Sequence, residues 1–291
     1  MSEVAIDKTR CACCGACVET CSERIFAQTE SGAIPHRLHP GLCIACGHCV
    51  AMCPHEAVRH PAFPDGTVHA VNRGNMPRVE QVMEMLRMRR SIRHFEDRPV
   101  ENPVMEQVLE GARCAPSAHN FQTTEYVVVR DKAVLRTITD LVASCYAGVM
   151  RQLKNPVIRT LYGLTVSKGE IRSALHLLPD FEMVVEAAQQ GEDPFLHDAP
   201  CLVVTHAARS VNFPEANAIL ALHNATLVAQ ALGLGSFLVG YLVGACKRDK
   251  RIPRLLSVPN DHEVYGALAL GYPKREFKNW VERRPLRVRW L

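Results

Sequence analysis

Two cysteine runs near the N-terminus constrain this chain more than any other feature. Eight cysteines share one spacing in the two runs: Cys11, Cys14, Cys17 and Cys21, then Cys43, Cys46, Cys49 and Cys53. Each run has the pattern C-x2-C-x2-C-x3-C, and Pro54 follows the last cysteine of the second run. The residues between the cysteines supply little apolar material, so we expect this region to fold around whatever its thiolates bind.

This spacing resembles the bacterial run that holds two [4Fe-4S] clusters, in which the fourth cysteine of each run binds the other cluster. Three thiolates spaced by two residues on a tight turn can converge on three corners of one cluster. Gly15 and Gly47 lie in these turns, where bare backbone can approach the inorganic sulfides. We therefore expect two [4Fe-4S] clusters, one held by Cys11, Cys14, Cys17 and Cys53, and the other by Cys43, Cys46, Cys49 and Cys21.

Disulfides and zinc are the alternatives for these cysteines. A disulfide framework is disfavoured because no signal peptide precedes the runs and the rest of the chain reads as a large ordinary domain. Zinc is commonly held by two C-x2-C pairs, which would leave the third and fourth cysteines of each run unexplained. Cys13 breaks the repeated spacing. We expect it to be a spare thiol, with replacement of a neighbouring ligand as the alternative.

The composition indicates a globular protein, with 47% hydrophobic and 22% charged residues in a chain of 291. The formal net charge of +4 is too small to argue for nucleic acid as a partner. No apolar run reaches the roughly 18 residues of a membrane span, and the N-terminus lacks a basic-then-apolar signal. We therefore expect a cytoplasmic protein without a membrane span, in a compartment reducing enough for its 13 cysteines.

The chain changes in character after the cysteine runs. We expect residues 1–70 to form the cluster domain, residues 71–77 to form a linker rich in Gly, Asn and Pro, and residues 78–291 to form a larger domain. In the larger domain, the apolar patterns predict strands and helices. The strands are at 125–130, 201–205, 236–241 and 264–270, and the helices are at 78–89, 102–111, 131–150, 214–232 and 247–256. Helices on both sides of a small mixed sheet make an α+β sandwich.

The sequence also predicts details of three helical regions. We expect Asn102 to cap the helix that begins beside Pro103. Residues 214–232 are apolar almost all round, so we expect this helix to be buried, inside the domain or at a dimer interface. Residues 151–199 have mixed polarity, and we expect helical pieces there that cover a pocket or a partner subunit.

A basic segment follows the first helix of the larger domain. Arg89, Arg90, Ser91 and Arg93 place three guanidiniums and a hydroxyl close together. Guanidiniums make forked contacts with phosphate oxygens, so we expect an anion site here. The alternative is a solvated basic face.

Two further segments carry polar or flexible residues between predicted elements. The amides of Asn120 and Gln122 could pair with an amide-rich ring edge, or they could simply form a turn. Residues 233–240 contain three glycines but fail the G-x-G-x-x-G pattern, because position 238 is Leu. This failure disfavours a dinucleotide-binding fold of the Rossmann type.

These segments, in this order, resemble the FMN-dependent nitroreductase family over residues 78–291. Five motifs carry the resemblance: Arg-Arg-Ser-Ile-Arg-x-Phe from residue 89, Pro-Ser-x-x-Asn-x-Gln from 116, Ala-Leu-Gly-Leu-Gly-Ser ending at 236, Gly-Tyr-Pro from 271, and Arg-Arg-Pro-Leu ending at 286. The resemblance implies an α+β homodimer with FMN at the subunit interface. The N-terminal cluster domain resembles the dicluster ferredoxin-like domain of a subset of this family.

The resemblance also implies which residues bind FMN: Arg89, Arg90, Ser91, Arg93, Asn120, Gln122, Leu238, Gly240 and Arg283. The arginines and the serine match contacts to the phosphate and ribityl chain, with Arg284 as the alternative to Arg283. The two amides match polar contacts to the ribityl chain and ring, and residues 238 and 240 match backbone near the ring. Thr123 and Thr124 stand where family members often have Pro-Trp, which affects the substrate face of the flavin.

The cysteine runs and the resemblance together imply a flavin-dependent oxidoreductase that relays electrons between two [4Fe-4S] clusters and FMN. Its expected substrate is a small electron-poor acceptor of the nitroaromatic, quinone or enone type, and no side chain is assigned a catalytic role. We expect a ferredoxin or another Fe–S protein as redox partner, with NAD(P)H as the alternative, and either direction of electron flow. The alternative function is an electron-transfer subunit of a larger complex without its own small-molecule substrate.

Overall fold

The computed structural model describes residues 4–157, 169, 172 and 175–291. The chain divides into two units. The first contains Met1–Pro77 and the short segment Ser117–Phe121, and the second contains Arg78–Pro116 and Gln122–Leu291. Predictions for residues 158–168, 170, 171, 173 and 174 lie outside the described residues.

Two short antiparallel strand pairs and two short helices make up the first unit. Strand β1 (Ala5–Ile6) pairs with β4 (Val58–Arg59), and β2 (Phe26–Ala27) pairs with β3 (His36–Arg37). Helix α1 (Ala16–Glu19) directly follows Gly15, and α2 (His48–Met52) directly follows Gly47. Both glycines have φ of +76°, a left-handed conformation that is costly for other residues.

The first unit buries few apolar side chains. Its buried cluster consists of Val4, Cys17, Ile25, Phe26 and Val58. Short 3-10 helices at Pro40–Leu42 and Arg73–Asn75 connect the other elements. A core this small contributes little free energy of folding.

A four-stranded antiparallel sheet forms the centre of the second unit. Its strands are β5 (Glu125–Val129), β6 (Cys201–Ala208), β7 (Gly235–Leu238) and β8 (His262–Gly271), in the order β5-β6-β8-β7. Every residue from Cys201 to Ala207 is buried. The inner strands are buried because helices cover both faces of the sheet.

The helices of the second unit are α3 (Val79–Met88), α4 (Asn102–Arg113), α5 (Lys132–Lys154), α6 (Leu178–Gln189), α7 (Pro214–Ala231), α8 (Gly240–Arg248) and α9 (Arg251–Leu255). On one face of the sheet, α4 and α7 share a core with Cys201 and Val203. On the other face, α5, α6 and α8 share a core with Leu202 and Val204. Successive residues of β6 thus face opposite layers, and the predicted α+β sandwich is confirmed. The prediction of a mixed sheet is wrong, because all three strand pairs of this sheet are antiparallel.

The largest error in the predicted elements concerns residues 236–256. Strand β7 ends at Leu238, and Gly240 begins α8 instead of continuing the strand. The predicted helix at 247–256 is two helices, because α8 already ends at Arg248 and α9 begins at Arg251. The buried residues of α8 are Leu242, Ala245 and Cys246, at helical spacing, but a short apolar run does not distinguish this spacing from a strand.

The other differences lie at the ends of elements. Strands β6 and β8 are longer than predicted because they pair with each other from Cys201–Leu270 to Ala208–His262. The prediction that Asn102 caps α4 is wrong, since Glu101 precedes the first helical residue and Asn102 is that residue. Helix α6 is one of the helical pieces expected between residues 151 and 199.

One helix in the described part of the chain, α5, is long and apolar enough by length and composition to cross a membrane. It also resembles a core helix, because Leu135, Ile138 and Val142 are buried along one face. Within α5, Arg136 and Asp140 form an ion pair one turn apart, at 3.4 Å.

Close packing between α4 and α7 gives a prediction for stability. A Cβ atom at Gly111 of α4 would overlap the side chain of Val228 on α7. Gly111→Ala should therefore lower the free energy of unfolding by about 1–3 kcal/mol, because the helices must move apart. Urea denaturation followed by circular dichroism measures the change.

Gly148→Ala in α5 is the matched control, because nothing lies within 4 Å of a Cβ built at that position. Ala favours the helical backbone over Gly by roughly 0.5–1 kcal/mol, so the control should be neutral or slightly stabilising. If Gly111→Ala has the same free energy of unfolding as the unsubstituted protein, then the close contact between α4 and α7 does not require glycine at position 111.

Candidate functional site

The predicted cluster ligands line two cavities in the first unit, with four thiols in each. One cavity is lined by Cys11, Cys14, Cys17 and Cys53, and the other is lined by Cys21, Cys43, Cys46 and Cys49. Each cavity takes three cysteines from one run and the fourth from the other run. The structure therefore brings together the members of each expected ligand set.

Local backbone geometry positions these thiols. The third cysteine of each run, Cys17 or Cys49, lies in the short helix that follows the left-handed glycine. The fourth cysteine of each run accepts a backbone hydrogen bond. The N–H of Ile25 donates to Cys21 Sγ at 3.3 Å, and the N–H of Ala57 donates to Cys53 Sγ at 3.2 Å. Such donors stabilise a thiolate, the form of cysteine that binds metal.

One thiol in each set, Cys17 or Cys49, resists ionisation, because its pKa is raised. Burial, and then the nearby Cys21, Cys43 and Cys46, raise the pKa of Cys49 to about 11. Burial is also the main cause that raises the pKa of Cys17. Four thiolates around one small cavity need positive charge to offset their repulsion, and binding it would release protons. The donor chemistry of both cavities fits iron–sulfur clusters.

Cys13 lies apart from both sets. It lines neither cavity, and its backbone adopts a left-handed φ of +57°. Its N–H donates to Cys11 Sγ at 3.4 Å, and Gln28 Nε2 donates to its carbonyl at 3.1 Å. These contacts favour a structural role for the backbone of Cys13 over a role for its thiol as a ligand.

Sequence reasoning missed His60, which lies beside the second set. Its Nε2 is 3.4 Å from Cys43 Sγ, and its Nδ1 accepts a hydrogen bond from the N–H of Ala62 at 3.0 Å. Burial lowers the pKa of His60, which favours the neutral ring. A neutral ring that accepts at Nδ1 carries its proton on Nε2, so His60 can donate to the sulfur. The only signal in the sequence was its position just after the second run.

An open cavity lies beside β7 in the second unit. Arg89 and Arg90 line it from the segment after α3, and Ser236 lines it from β7. The N–H of Ile92 donates to the Ser236 carbonyl at 3.1 Å, which fixes this segment against the strand. Gly235 permits the approach, since a Cβ there would lie 2.6 Å from the Ile92 side chain.

Basic side chains outnumber acidic ones in the lining of this cavity: Arg89, Arg90, Arg275 and Lys278 against Glu84 and Glu276. Arg89 and Arg90 are half-buried, and neither forms an ion pair with a carboxylate of the described residues. An anionic group would meet a net positive surface here.

Arg93 lies on the other face of β7. Its guanidinium carbon is 5.5 Å from the centre of the Phe237 ring, and the His197 ring lies 5.3 Å from the same ring. Phe237 and Ser236 are adjacent on a strand, so their side chains point to opposite faces. Burial, and then the charge of Arg93, lower the pKa of His197. Within one chain, the structure does not place Arg93 in the cavity lined by Arg89 and Arg90.

The remaining predicted FMN contacts belong to several different segments of the chain. Leu238 is half-exposed at the end of β7, and open space surrounds Gly240 at the start of α8. Gln122 is exposed, with a left-handed φ of +48°. Asn120 belongs to the first unit, where its Nδ2 donates to the carbonyl of Ala45 at 2.8 Å. Arg283 is exposed in the segment after β8.

Two residues near these positions were also missed. Trp280 lines the cavity beside β7, and the guanidinium of Arg87 lies 4.9 Å from the centre of its ring. The hydroxyl of Thr123 is buried without a hydrogen-bond partner in the described part of the chain. An unpartnered hydroxyl beside Gln122 leaves a polar group free for a bound molecule.

Comparison with known proteins gives the family of both parts of the chain. Residues 86–272 match the Nitroreductase family, and residues 3–68 match the 4Fe-4S dicluster domain. The FMN reductase (NAD(P)H) of Bacillus subtilis is 27% identical over 195 residues, covering 67% of this chain and 67% of that protein. The NADH dehydrogenase of Thermus thermophilus is 28% identical over 195 residues, covering 65% of this chain and 84% of that protein.

Solved structures share the fold of the second unit. A nitroreductase with bound FMN from Bacteroides fragilis NCTC 9343 matches with a TM-score of 0.56 and 20% identity, covering 72% of this chain and 99% of that one. A nitroreductase with bound FMN from Desulfitobacterium hafniense DCB-2 matches with a TM-score of 0.53 and 17% identity, covering 74% and 100%.

Because the family match spans more than half of its length, the chain belongs to the nitroreductase family. It is a flavin-dependent oxidoreductase that carries an iron–sulfur domain of the 4Fe-4S dicluster type.

Replacing one ligand tests the assignment of the second cysteine set. Cys46→Ala should remove one cluster, because its cavity would keep only three thiols. Iron and sulfide per chain, measured after anaerobic purification, should fall to about half of the amount in the unsubstituted protein.

Cys13→Ala is the control, since Cys13 lines neither cavity. It should keep the full iron and sulfide content. Unchanged iron in Cys46→Ala, or a loss of iron in Cys13→Ala, would refute this ligand assignment.

Proposed function

We propose that this chain binds FMN and two [4Fe-4S] clusters, passes electrons between them, and reduces a small electron-poor acceptor of the nitroaromatic, quinone or enone type. The proposal rests on one observation: the same chain contains two cavities lined by four cysteines each and a domain of the nitroreductase family. The names of similar proteins support the flavin, since one is an FMN reductase and another has bound FMN.

The cavity beside β7 is the proposed site of the FMN phosphate. Arg89 and Arg90 are half-buried at its wall without a carboxylate partner among the described residues, and guanidiniums bind phosphate through paired hydrogen bonds. Ser91 is adjacent and can add a hydroxyl donor. Leu238 and Gly240 offer exposed backbone at the end of β7 for the edge of the ring. The contacts proposed for Arg93, Asn120, Gln122 and Arg283 rest on the resemblance alone.

Bound FMN would supply the chemistry that converts between one-electron and two-electron transfer. The protein's part is to bind and orient the molecules that react. Because Gly240 begins α8, the first N–H groups of this helix have no intrahelical acceptor and can stabilise negative charge nearby. We assign no side chain a catalytic role.

The cluster domain, which we place at residues 1–70 with a linker at 71–77 before the flavin domain at 78–291, is the proposed point of entry for single electrons. Clusters exchange electrons one at a time, so a ferredoxin or another Fe–S protein is the proposed redox partner. NAD(P)H is the alternative donor, because the similar proteins from Bacillus subtilis and Thermus thermophilus are named for NAD(P)H and NADH.

We also propose that the protein is a cytoplasmic homodimer. Ile219 and Leu220 are exposed on α7, although seven of the 18 residues of this helix are buried. In the C-terminal segment, Leu286 and Trp290 are 90% and 91% exposed. Large apolar side chains exposed in this way favour an interface with a second subunit.

Comparing electron donors tests the relay. Under anaerobic stopped-flow conditions, reduced ferredoxin should reduce the clusters and then the flavin, and a nitroaromatic or quinone acceptor should reoxidise both. If NADPH or NADH reduces the flavin rapidly while the clusters stay oxidised and irrelevant to turnover, the relay is wrong. If no such acceptor is turned over by the isolated protein, the substrate part of the proposal fails and an electron-transfer subunit is favoured instead.

The proposed phosphate site gives a second test. Arg89→Ala should weaken FMN binding by about 10- to 100-fold, because a hydrogen bond to a charged group contributes roughly 1.5–3 kcal/mol. Fluorescence titration of the flavin-free protein with FMN measures the dissociation constant. Arg93→Ala should also weaken binding if the resemblance holds for that residue.

Arg254→Ala serves as the control, because Arg254 is an exposed arginine in α9 that does not line the cavity beside β7. Its FMN affinity should equal that of the unsubstituted protein. Unaltered affinity in both Arg89→Ala and Arg93→Ala would count against this phosphate site.

A further inference from the structure

Three side chains meet at one end of the central sheet, on three neighbouring strands. Glu125 begins β5, His206 lies near the end of β6, and His262 begins β8. One ligand atom from each side chain lies within 4.8 Å of those from the other two. The Nδ1 atoms of the two histidines are 2.9 Å apart.

A break in strand register creates this cluster. Thr205 pairs with Gly266, but the next residue, His206, pairs with Val264, so Tyr265 has no partner in the ladder. In a regular ladder His206 would oppose Tyr265, and His262 would point to the other face of the sheet. The bulge shifts β8 by one residue, and a shift of one residue reverses which face each side chain occupies. It thereby brings His262 onto the face of His206.

The carboxylate and the loop before β8 are also fixed by the sheet. Glu125 pairs directly with His206 across β5 and β6, so the two side chains share a face. Arg209 Nη1 donates to the carbonyl of His262 at 3.0 Å, and the Arg209 N–H donates to the carbonyl of Asp261 at 3.1 Å. These bonds hold the start of β8, and with it His262, beside β6.

We propose that Glu125, His206 and His262 bind one divalent transition-metal ion, and that this ion is Zn²⁺. Two imidazole nitrogens and one carboxylate oxygen are a common donor set for zinc in proteins. At the tetrahedral ligand angle of about 109° that zinc favours, two nitrogens about 2.0–2.1 Å from one ion lie about 3.3–3.4 Å apart. The two Nδ1 atoms, which are 2.9 Å apart, would therefore separate by about 0.4–0.5 Å when the ion binds.

The proposed site differs from the cluster cavities in its donors and in its exposure. It uses nitrogen and oxygen instead of thiolates, and neither the clusters nor the flavin of the proposed function requires it. His206 is only 4% exposed, whereas Glu125 is exposed. Three protein ligands leave a further position on the ion, which solvent can reach from the side of Glu125.

Zinc titration of the cluster-loaded, flavin-loaded protein tests the site. All substitutions should be made in the Cys114→Ser variant, which serves as the reference protein and is called the background, because Cys114 is an exposed thiol outside the cysteine runs. Isothermal calorimetry with Zn²⁺ should show one site per chain. His262→Ala should weaken binding by about 100-fold or more, since even the loss of an outer-shell partner costs about 10–100-fold. His176→Ala, at an exposed histidine of the same unit, should bind as tightly as the background.

Glu125→Gln provides a second variant that should fold normally, because Glu125 is exposed at the edge of the sheet. It should also weaken Zn²⁺ binding, and flavin and cluster absorbance should be unchanged in both variants if the fold is intact. Anomalous diffraction at the zinc edge should place one peak between the three side chains. Equal Zn²⁺ affinity in Glu125→Gln and the background, or no peak between these residues, would show that the two histidines only hydrogen-bond to each other.

Discussion

The antiparallel pairing of β6 with β8 is the interaction on which the second unit depends. Both strands are inner strands, and successive residues of β6 supply the cores on the two faces of the sheet. Strand β8 also holds β7, which carries Ser236 and Phe237 to opposite faces. The basic cavity, the surroundings of Arg93 and the His206–His262 pair are therefore all positioned by the two ladders in which β8 takes part.

The first unit rests on a different physical basis. Its few buried apolar side chains cannot provide the free energy that the large sheet provides, and several of the residues that pack against them are cysteines. Backbone donors such as the N–H groups of Ile25 and Ala57 are already directed at sulfur atoms. One chain thus combines a unit stabilised by apolar packing with one organised around thiols.

The sequence predicted those features that depend on residues close together in the chain, and it missed those that depend on contacts between distant residues. Spacings of two residues within a run identified three thiols of each cavity, and the resemblance to the bacterial two-cluster run supplied the fourth thiol from the other run. Strand β7 was predicted too long because Leu242 and its neighbours form an apolar run with no early turn signal. The different positions of Arg90 and Arg93 depend on which face of β7 each contacts, and sequence spacing does not contain that information. His262 could not be paired with His206 either, because a bulge, not the strand pattern, sets their register.

The exchange of the fourth cysteine between the two runs has a consequence for biosynthesis. The set that begins at Cys11 is incomplete until Cys53 has been made, and the set that contains Cys21 is incomplete until Cys49 has been made. A nascent chain that carries only the first run therefore offers no complete site to an iron donor. The last cysteines of the two sets, Cys49 and Cys53, are only four residues apart. If each site binds a cluster, as proposed, insertion of both clusters is deferred until the second run has been made, which couples the maturation of the two sites to each other.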